Sequence, residues 1–308
     1  MAGSAAAHMT GTGWRCVPAR AGWPGLVLGL MCLAAVIVPR IAGEPAREIG
    51  DVLGTRLTPP LARDGRGVWH LLGTDAFGRD MAVRIWTGAR VSLFVGVAGS
   101  ALSALLGVAL GAVAGWRGGW VDRVIVALGD ALLAIPRLVL LLVIAALWSP
   151  GLRVVVVVLG LTGWMAVMRL VRADVQGVRV LGYVEGATAL GVPSWRVLRR
   201  HVLPNALGSA LVATTLGVGN AIVLESGLSF LGLGVQPPTA SWGNMIAGGR
   251  EWLLVAPWIA LSPGLALIAT VVCATMLGER LGGRGEDARP NATASPETSA
   301  PPAVLPRS

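Results

Sequence analysis

The chain has 308 residues, of which 54% are apolar and only 13% are charged, and its net charge is +9. A mean hydropathy of +0.70 excludes an ordinary soluble domain and is typical of polytopic membrane proteins. The basic residues are all arginine and lie scattered between apolar runs, which argues against nucleic-acid binding and favours a role in orienting the chain in a membrane.

The first apolar run, 23–42, follows a small and polar tail, 1–22, that carries Arg15 and Arg20. Positive charge is retained in the cytosol, so we expect a cytosolic tail and an uncleaved first transmembrane helix. A cleaved secretory signal, with Ala42 and Ala46 near the cleavage site, is the alternative.

Residues 43–90 are polar and are expected to form an external loop, in which turn formers and charges cluster at 70–80. Gly73 and Gly78 permit tight turns, Asp75 and Asp80 are placed to cap backbone N–H groups, and Arg79 is placed to bridge the two carboxylates. The nearby His70 is a lone imidazole, so an ordered turn is favoured over a metal site.

The string Leu-Gly-Thr-Asp-Ala-Phe-Gly-Arg-Asp at 72–80, followed by Gly-Ala-Arg-Val-Ser-Leu at 88–93, resembles the second, C-type permease of the dipeptide, oligopeptide and nickel ABC importers. The residues that carry this resemblance are Gly73, Thr74, Asp75, Gly78, Arg79 and Asp80. The resemblance extends over roughly 72–278.

The second apolar segment, 91–115, carries Gly107, Gly111 and Gly115 at four-residue spacing. Such a ridge of small residues permits close helix packing in lipid, within the chain or against a partner permease. The following loop, 116–123, is basic with interfacial tryptophans and is expected in the cytosol.

The third apolar segment, 124–148, contains Asp130, Pro136 and Arg137. The two charges are seven residues apart and therefore share one face of a continuous helix, which Pro136 is expected to kink. Charges inside a membrane usually turn toward a helix bundle or an aqueous path, so lining the pathway and pairing structurally are equally supported interpretations.

A tight external turn, 149–153, leads to the fourth segment, 154–171, and then to a cytosolic loop, 172–205. This part of the chain gives the strongest positive-inside signal. Its arginines are Arg169, Arg172, Arg179, Arg196, Arg199 and Arg200.

The loop is predicted to contain two short helices that meet at a glycine. Gly191 is placed as a left-handed C-cap and Pro193 prevents the first helix from continuing. Ser194 is expected to cap the second helix, and Pro204 to start a new one.

This loop is similar to the E-A-A-x-x-x-G…L-P loop of ABC importer permeases, with glycine at 186 in place of the family's alanine. The resemblance implies a coupling helix that docks on the ATPase subunit. The residues it assigns to coupling are Tyr183, Glu185, Gly186, Ala187, Ala189, Gly191 and Pro204.

The fifth segment, 206–231, includes Glu225, which is expected to face protein or water, either contacting a cationic substrate group or holding two helices together. Residues 226–245 give a third match to the permease family and are expected to form an irregular external connection. The sixth segment, 252–277, is expected to bend at Pro257 and Pro263, and the tail from 282 to be disordered.

The expected fold is therefore all-α and polytopic, with six transmembrane helices, both termini cytosolic, and a permease core of five helices over 91–281. The resemblance implies the type I ABC importer permease fold in the inner membrane. It also implies a homologous second permease, two ATPase subunits and an external solute-binding protein as partners.

A nucleotide-binding phosphate loop requires a lysine that the chain lacks, so ATP hydrolysis is expected on a partner chain. No catalytic residue, cofactor or metal site is expected in this chain. Peptides are the first choice of substrate, and nickel or another small solute is the second. A gradient-driven secondary transporter and a membrane scaffold without transport are the rival functions.

Overall fold

The computed structural model describes residues 17–42 and 52–286, and these ranges are predominantly helical. Five helices are long and apolar enough to cross a membrane, and the number is six when a bent pair of helices is counted as one span. The spanning elements are α1 (Val17–Ile41), α3 (Met81–Arg117), the pair α4 (Gly119–Leu133) and α5 (Arg137–Leu147), α6 (Leu152–Arg179), α9 (Leu203–Phe230) and α11 (Trp258–Glu286).

The shorter elements lie at the two ends of this bundle. They are α2 (Val52–Thr55), β1 (Ala62–Arg63), β2 (Trp69–His70), α7 (Gly182–Ala189), α8 (Ser194–Val197) and α10 (Trp242–Gly249). Strands β1 and β2 pair antiparallel, with Ala62 opposite His70. We call the end with this hairpin the hairpin end, and the opposite end the α7 end.

Helix α3 begins ten residues before the predicted segment, at Met81, because Asp80 caps it: its side chain accepts a hydrogen bond from the Val83 amide at 3.1 Å. At 37 residues, α3 exceeds the ~20 that a membrane span requires. The extra turns at its start belong to residues 81–90, which are expected from the sequence to lie in the external loop.

The glycine ridge of α3 packs within the chain, against α6. A Cβ added at Gly107 would lie 2.6 Å from Cβ of Val167, and one at Gly111 would lie 2.6 Å from the Met168 carbonyl oxygen. These distances are too short for any side chain, so glycine is what allows the two backbones to approach.

The third span is broken rather than kinked. Helix α4 ends at Leu133, α5 begins at Arg137, and their axes differ by 87°. Pro136 stands at the N-cap position of α5, because its ring cannot be accommodated in a continuing helix. Asp130 and Arg137 therefore lie on different helices, and the prediction that they share one face is wrong.

The α6 helix continues to Arg179, beyond the predicted end at 171. Ser194 is not an N-cap, since α8 begins at Ser194 itself and Pro193 occupies the cap position. Pro204 lies in the first turn of α9, as predicted for the start of a new helix, and a wide π-helical turn, Leu198–Val202, joins α8 to α9. In that turn the Leu203 amide donates to the Leu198 carbonyl, five residues back.

At the hairpin end, residues 226–230 belong to α9, and the irregular connection is confined to the stretch before α10. Ser241 and Asn244 form a reciprocal capping box at the start of α10. Helix α11 begins at Trp258, so Pro257 precedes this span instead of bending it, while Pro263 lies inside it.

The predicted disordered tail starts too early, because α11 runs to Glu286. The rest of that tail, most of the N-terminal tail and the loop residues 43–51 lie outside the described residues.

Candidate functional site

The string at 72–80, at the hairpin end, is a network of turns around Asp75. One carboxylate oxygen of Asp75 accepts from the Phe77 and Arg79 amides at 2.8 and 2.9 Å. The other pairs with Nε of Arg79 at 2.7 Å and with Nε of Arg84 at 3.4 Å. Asp75 thus caps its own turn, as predicted, and ties that turn to the first helical turn of α3.

A second carboxylate of the string, Asp80, pairs with His70 rather than with Arg79. Nδ1 of His70 lies 2.6 Å from Asp80 Oδ2, and Nε2 lies 3.3 Å from Asp64 Oδ2. The prediction that Arg79 bridges both carboxylates is therefore wrong. Burial lowers the pKa of His70, but the hydrogen bonds and charges of the two aspartates outweigh it and raise this pKa above 6.5.

Glycine is required at two positions of the string. Gly73 and Gly78 have φ of 75° and 73°. A Cβ at Gly78 would lie 2.2 Å from Oγ1 of Thr55, and one at Gly73 would lie 2.5 Å from the Thr58 carbonyl. The buried Thr74 completes the network: its hydroxyl donates to the Thr55 carbonyl at 2.6 Å.

The indole of Trp258 donates to the Thr74 carbonyl at 3.1 Å. The string therefore fastens the hairpin and its loops to the first turns of α3 and α11.

At the α7 end, α7 is a short helix mounted on the bundle by one side. Val184 is 1% exposed and packs in a cluster of apolar residues with Val175 of α6, Val197 of α8 and Ala206 of α9. Gly191 follows α7 with φ of 78°, the left-handed conformation predicted for it.

The opposite side of α7 is exposed. Glu185 lies in its first turn, where a carboxylate interacts favourably with the helix dipole. Gly186 is also exposed, with open space where a Cβ would stand, while Ala187 is half-buried and Ala189 is exposed. Leu190, at the end of the helix, is 87% exposed.

A groove of about 1260 Å³ runs beside α7 and includes Glu185 and Ala189 in its wall. The opposite wall comes from the end of α3 and α6, including Trp116 and Arg179. The guanidinium of Arg179 lies 5.8 Å from the centre of the Trp116 ring. An exposed acid and small side chains thus border a concave surface.

Two further contacts fix α7 relative to α9. Nδ2 of Asn205 donates to the Tyr183 hydroxyl at 3.4 Å and to the His201 carbonyl at 2.7 Å. Asn205 follows Pro204 directly, so the start of α9 is joined to both α7 and the π-helical turn.

A cavity of about 1090 Å³ lies between α3, α6 and α9, in the middle of the bundle and toward the α7 end. Its wall includes Ser100 and Ser103 of α3, Arg137 of α5 and Asn220 of α9. Asp174, further along α6, lies in the same wall. The wall combines polar groups with small and apolar residues, as expected of a path through a bilayer.

The three predicted intramembrane charges have three different environments. Arg137 lines this cavity. Glu225 is completely buried and accepts hydrogen bonds from Ser92 at 3.0 Å and Ser229 at 2.7 Å, so it joins α3 to α9 and does not line the cavity. Asp130 is half-exposed and pairs with Arg169 of α6.

Sequence reasoning missed the ion pairs that join α4 to α6. Arg172 donates through both Nε and Nη2 to Asp122, the latter at 2.7 Å. The sequence predicts Arg169 and Arg172 only as cytosolic charges, and the packing of α4 on α6 shows their partners, Asp130 and Asp122. Nothing in the sequence indicates that Ser100 lines the cavity or that Val184 anchors α7, because serine and valine are common in such segments.

A family model described as the binding-protein-dependent transport system inner membrane component matches residues 107–284. Among similar proteins, the Bacillus subtilis oligopeptide transport system permease protein OppC is 40% identical over 70% of this chain and 69% of its own length. The B. subtilis dipeptide transport system permease protein DppC is 37% identical over 82% and 78%.

The glutathione transport system permease protein GsiD of Pectobacterium atrosepticum is 37% identical over 71% of this chain and 72% of its own length. A solved structure of the methionine ABC transporter MetNI in an inward-facing conformation aligns with a TM-score of 0.50, covering 66% of this chain and 95% of that one at 19% identity, which supports the fold. The chain belongs to the inner-membrane components of binding-protein-dependent transport systems and is a permease subunit of an ABC importer.

Proposed function

We propose that this permease moves di- or oligopeptides and that α7 is the element through which separate ATPase subunits drive it. The observation that carries the proposal is the mounting of α7. Its inner side is held in the bundle by Val184, while its outer side presents Glu185 to a groove. A rigidly held, exposed acid next to small side chains suits docking into a cleft on another protein.

The α7 end is then the cytosolic end. The exposed arginines Arg179, Arg196, Arg199 and Arg200 lie there, which agrees with retention of positive charge in the cytosol. With this orientation the hairpin end faces outward and is available to an external solute-binding protein, and both termini of the chain are cytosolic.

Force applied to α7 has a direct route to the cavity. Val184 packs against Val175 of α6, and Asn205 of α9 bonds to Tyr183. Both α6 and α9 contribute to the cavity wall. ATP-driven closure of the ATPase subunits therefore shifts two walls of the path together and switches its opening from one side of the membrane to the other.

The substrate class follows from the relatives, which are named as oligopeptide, dipeptide and glutathione permeases. A cavity of about 1090 Å³ is slightly larger than the usual range for small-ligand sites, ~300–1000 Å³, and has room for a short peptide. A second permease subunit completes the path, and ATP hydrolysis takes place on partner chains, since this chain has no lysine for a phosphate loop.

The test measures, in one preparation, which subunits assemble with the chain and which energy source drives peptide uptake. The tagged chain is expressed with its partner subunits, purified in detergent and reconstituted in liposomes with the binding protein. We expect ATPase subunits to copurify with the chain. We expect peptide uptake to require ATP on the side of the liposome membrane that carries the ATPase subunits. Uptake driven by a proton or sodium gradient without ATP would refute the proposal.

A further inference from the structure

Two buried polar atoms in the wall of the central cavity lack a hydrogen-bond partner within the described part of the chain. They are Nε of Arg137 and the hydroxyl of Ser100. Ser100 is 5% exposed and stands at the middle of α3. Buried polar groups are normally satisfied, so two unsatisfied groups in one cavity wall indicate a place where a ligand supplies the missing contacts.

The guanidinium of Arg137 is held in position by one of its nitrogens. Nη2 donates to the Leu159 carbonyl at 3.3 Å, and Ser103 donates to the same carbonyl at 3.2 Å. Gly163, one turn further along α6, leaves the space that both side chains occupy, since a Cβ there would lie 2.8 Å from Nη2 of Arg137. The side chain is therefore fixed while its Nε stays unsatisfied.

No acid of the described chain neutralises this arginine. Asp130, the nearest acid in sequence, pairs with Arg169. The cavity wall also includes Asp174, but fifteen residues of α6 separate it from Leu159, about 22 Å at 1.5 Å per residue. An arginine without an acidic partner inside a membrane span is costly, and such residues usually mark substrate pathways.

The break in the third span adds to the local positive potential. Arg137 is the first residue of α5, an 11-residue helix, so the positive end of the helix dipole lies at the cavity wall. Interrupted membrane helices in transporters present such ends to anionic groups of their substrates. Arginine offers the paired N–H donors that match a carboxylate.

We propose that Arg137 and the Ser100 hydroxyl bind the carboxylate of a peptide as it passes through the cavity. The inference rests on the proposed peptide importer and adds to it a contact inside the membrane path. The contact selects peptides with a free carboxylate in addition to any selection by the binding protein.

The experiment measures uptake by the complete reconstituted importer of one peptide in two forms, with a free C-terminal carboxylate and with a C-terminal amide. Each form is supplied at a concentration that saturates the binding protein, and the readout is the ratio of the two uptake rates. The variants are Arg137→Gln, Arg137→Lys and Ser100→Ala. Arg153→Gln is the matched control, because Arg153 is exposed in the first turn of α6 and does not line the cavity.

We expect the wild type and Arg153→Gln to favour the carboxylate form and Arg137→Gln to reduce that ratio about tenfold, the effect of losing a charge-assisted hydrogen bond. Arg137→Lys retains part of the preference, and Ser100→Ala lowers it by about threefold. If Arg137→Gln does not assemble, the Ser100→Ala ratio decides.

An equal loss of both forms in Arg137→Gln, or an unchanged ratio in Ser100→Ala, would assign these groups to structure and overturn the inference while leaving the peptide importer intact. A wild-type complex that takes up both forms equally would also overturn it. A wild-type complex that takes up neither form with ATP would refute the proposed function itself.

Discussion

Replacing Glu185 with lysine separates docking from stability. Glu185 is exposed in the first turn of α7, and within the described residues it forms no ion pair. Losing its favourable interaction with the helix dipole costs about 0.3–1 kcal/mol, and an exposed lysine introduces no clash. We therefore expect Glu185→Lys to reach the membrane in normal amount, with an unfolding midpoint within a few degrees of that of the wild type.

The effect on docking is much larger. Two opposite charges about 4 Å apart attract by roughly 4 kcal/mol at an effective dielectric constant of ~20, and reversing one charge turns this attraction into repulsion. Even after discounting for solvent, we expect the affinity for the ATPase subunit to fall at least ~100-fold, equivalent to about 2.7 kcal/mol.

The assay combines copurification of the ATPase subunit with peptide uptake, and Glu279→Lys serves as the matched control. Glu279 is an exposed acid near the end of α11, at the α7 end of the bundle, and does not lie on α7. The control is expected to retain both activities. If Glu185→Lys copurified with a stoichiometric amount of the ATPase subunit and retained full peptide uptake, α7 would not couple through this carboxylate.

Three further predictions concern stability. The pKa of His70 is raised in the folded protein, so its pairing with Asp80 stabilises the folded state fully below pH 6.5, and this stabilisation is lost as the pH rises through the folded pKa. The thermal unfolding midpoint should therefore fall between pH 6 and 9, and His70→Gln should flatten this pH dependence. Gly111→Ala places a Cβ 2.6 Å from a backbone oxygen, so it should lower the free energy of unfolding by several kcal/mol and reduce the yield of folded protein. Gly208→Ala, whose Cβ meets nothing within 4 Å, should do neither, and equal yields of the two variants would contradict the packing of α3 on α6. Gly186→Ala also meets open space and should raise helix stability by about 1 kcal/mol without loss of uptake, as measured by thermal unfolding and transport; impaired uptake would show that the docking cleft requires glycine.

Local patterns were sufficient for much of this protein. Long apolar runs predicted the number of spans, because a bilayer requires helices of fixed minimum length. Gly191 was correctly placed as a left-handed turn, since few residues other than glycine adopt that conformation. The caps at Asp75 and Asp80 were also predicted, because each carboxylate bonds to amides only a few residues away.

Predictions failed where the outcome depended on how neighbouring elements are arranged in space. Arg79 was paired with both nearby aspartates, but the hairpin brings His70 to Asp80. Pro136 was expected to kink a helix that is in fact broken, and the break moved Arg137 away from Asp130.

The sequence by itself determined which segments are long and apolar enough to cross a membrane, where the tight turns around Gly73, Gly78 and Gly191 fall, and which short helix carries an exposed acid. Each of these follows from interactions within a few residues or from the hydropathy of a single segment. The tertiary structure decided which charges are satisfied: Glu225 by serines of two helices, Asp130 by Arg169, and Arg137 only in part. The physical reason is that a charge inside a membrane bundle depends on groups brought to it by the packing of separate helices, and no spacing along one segment specifies that packing.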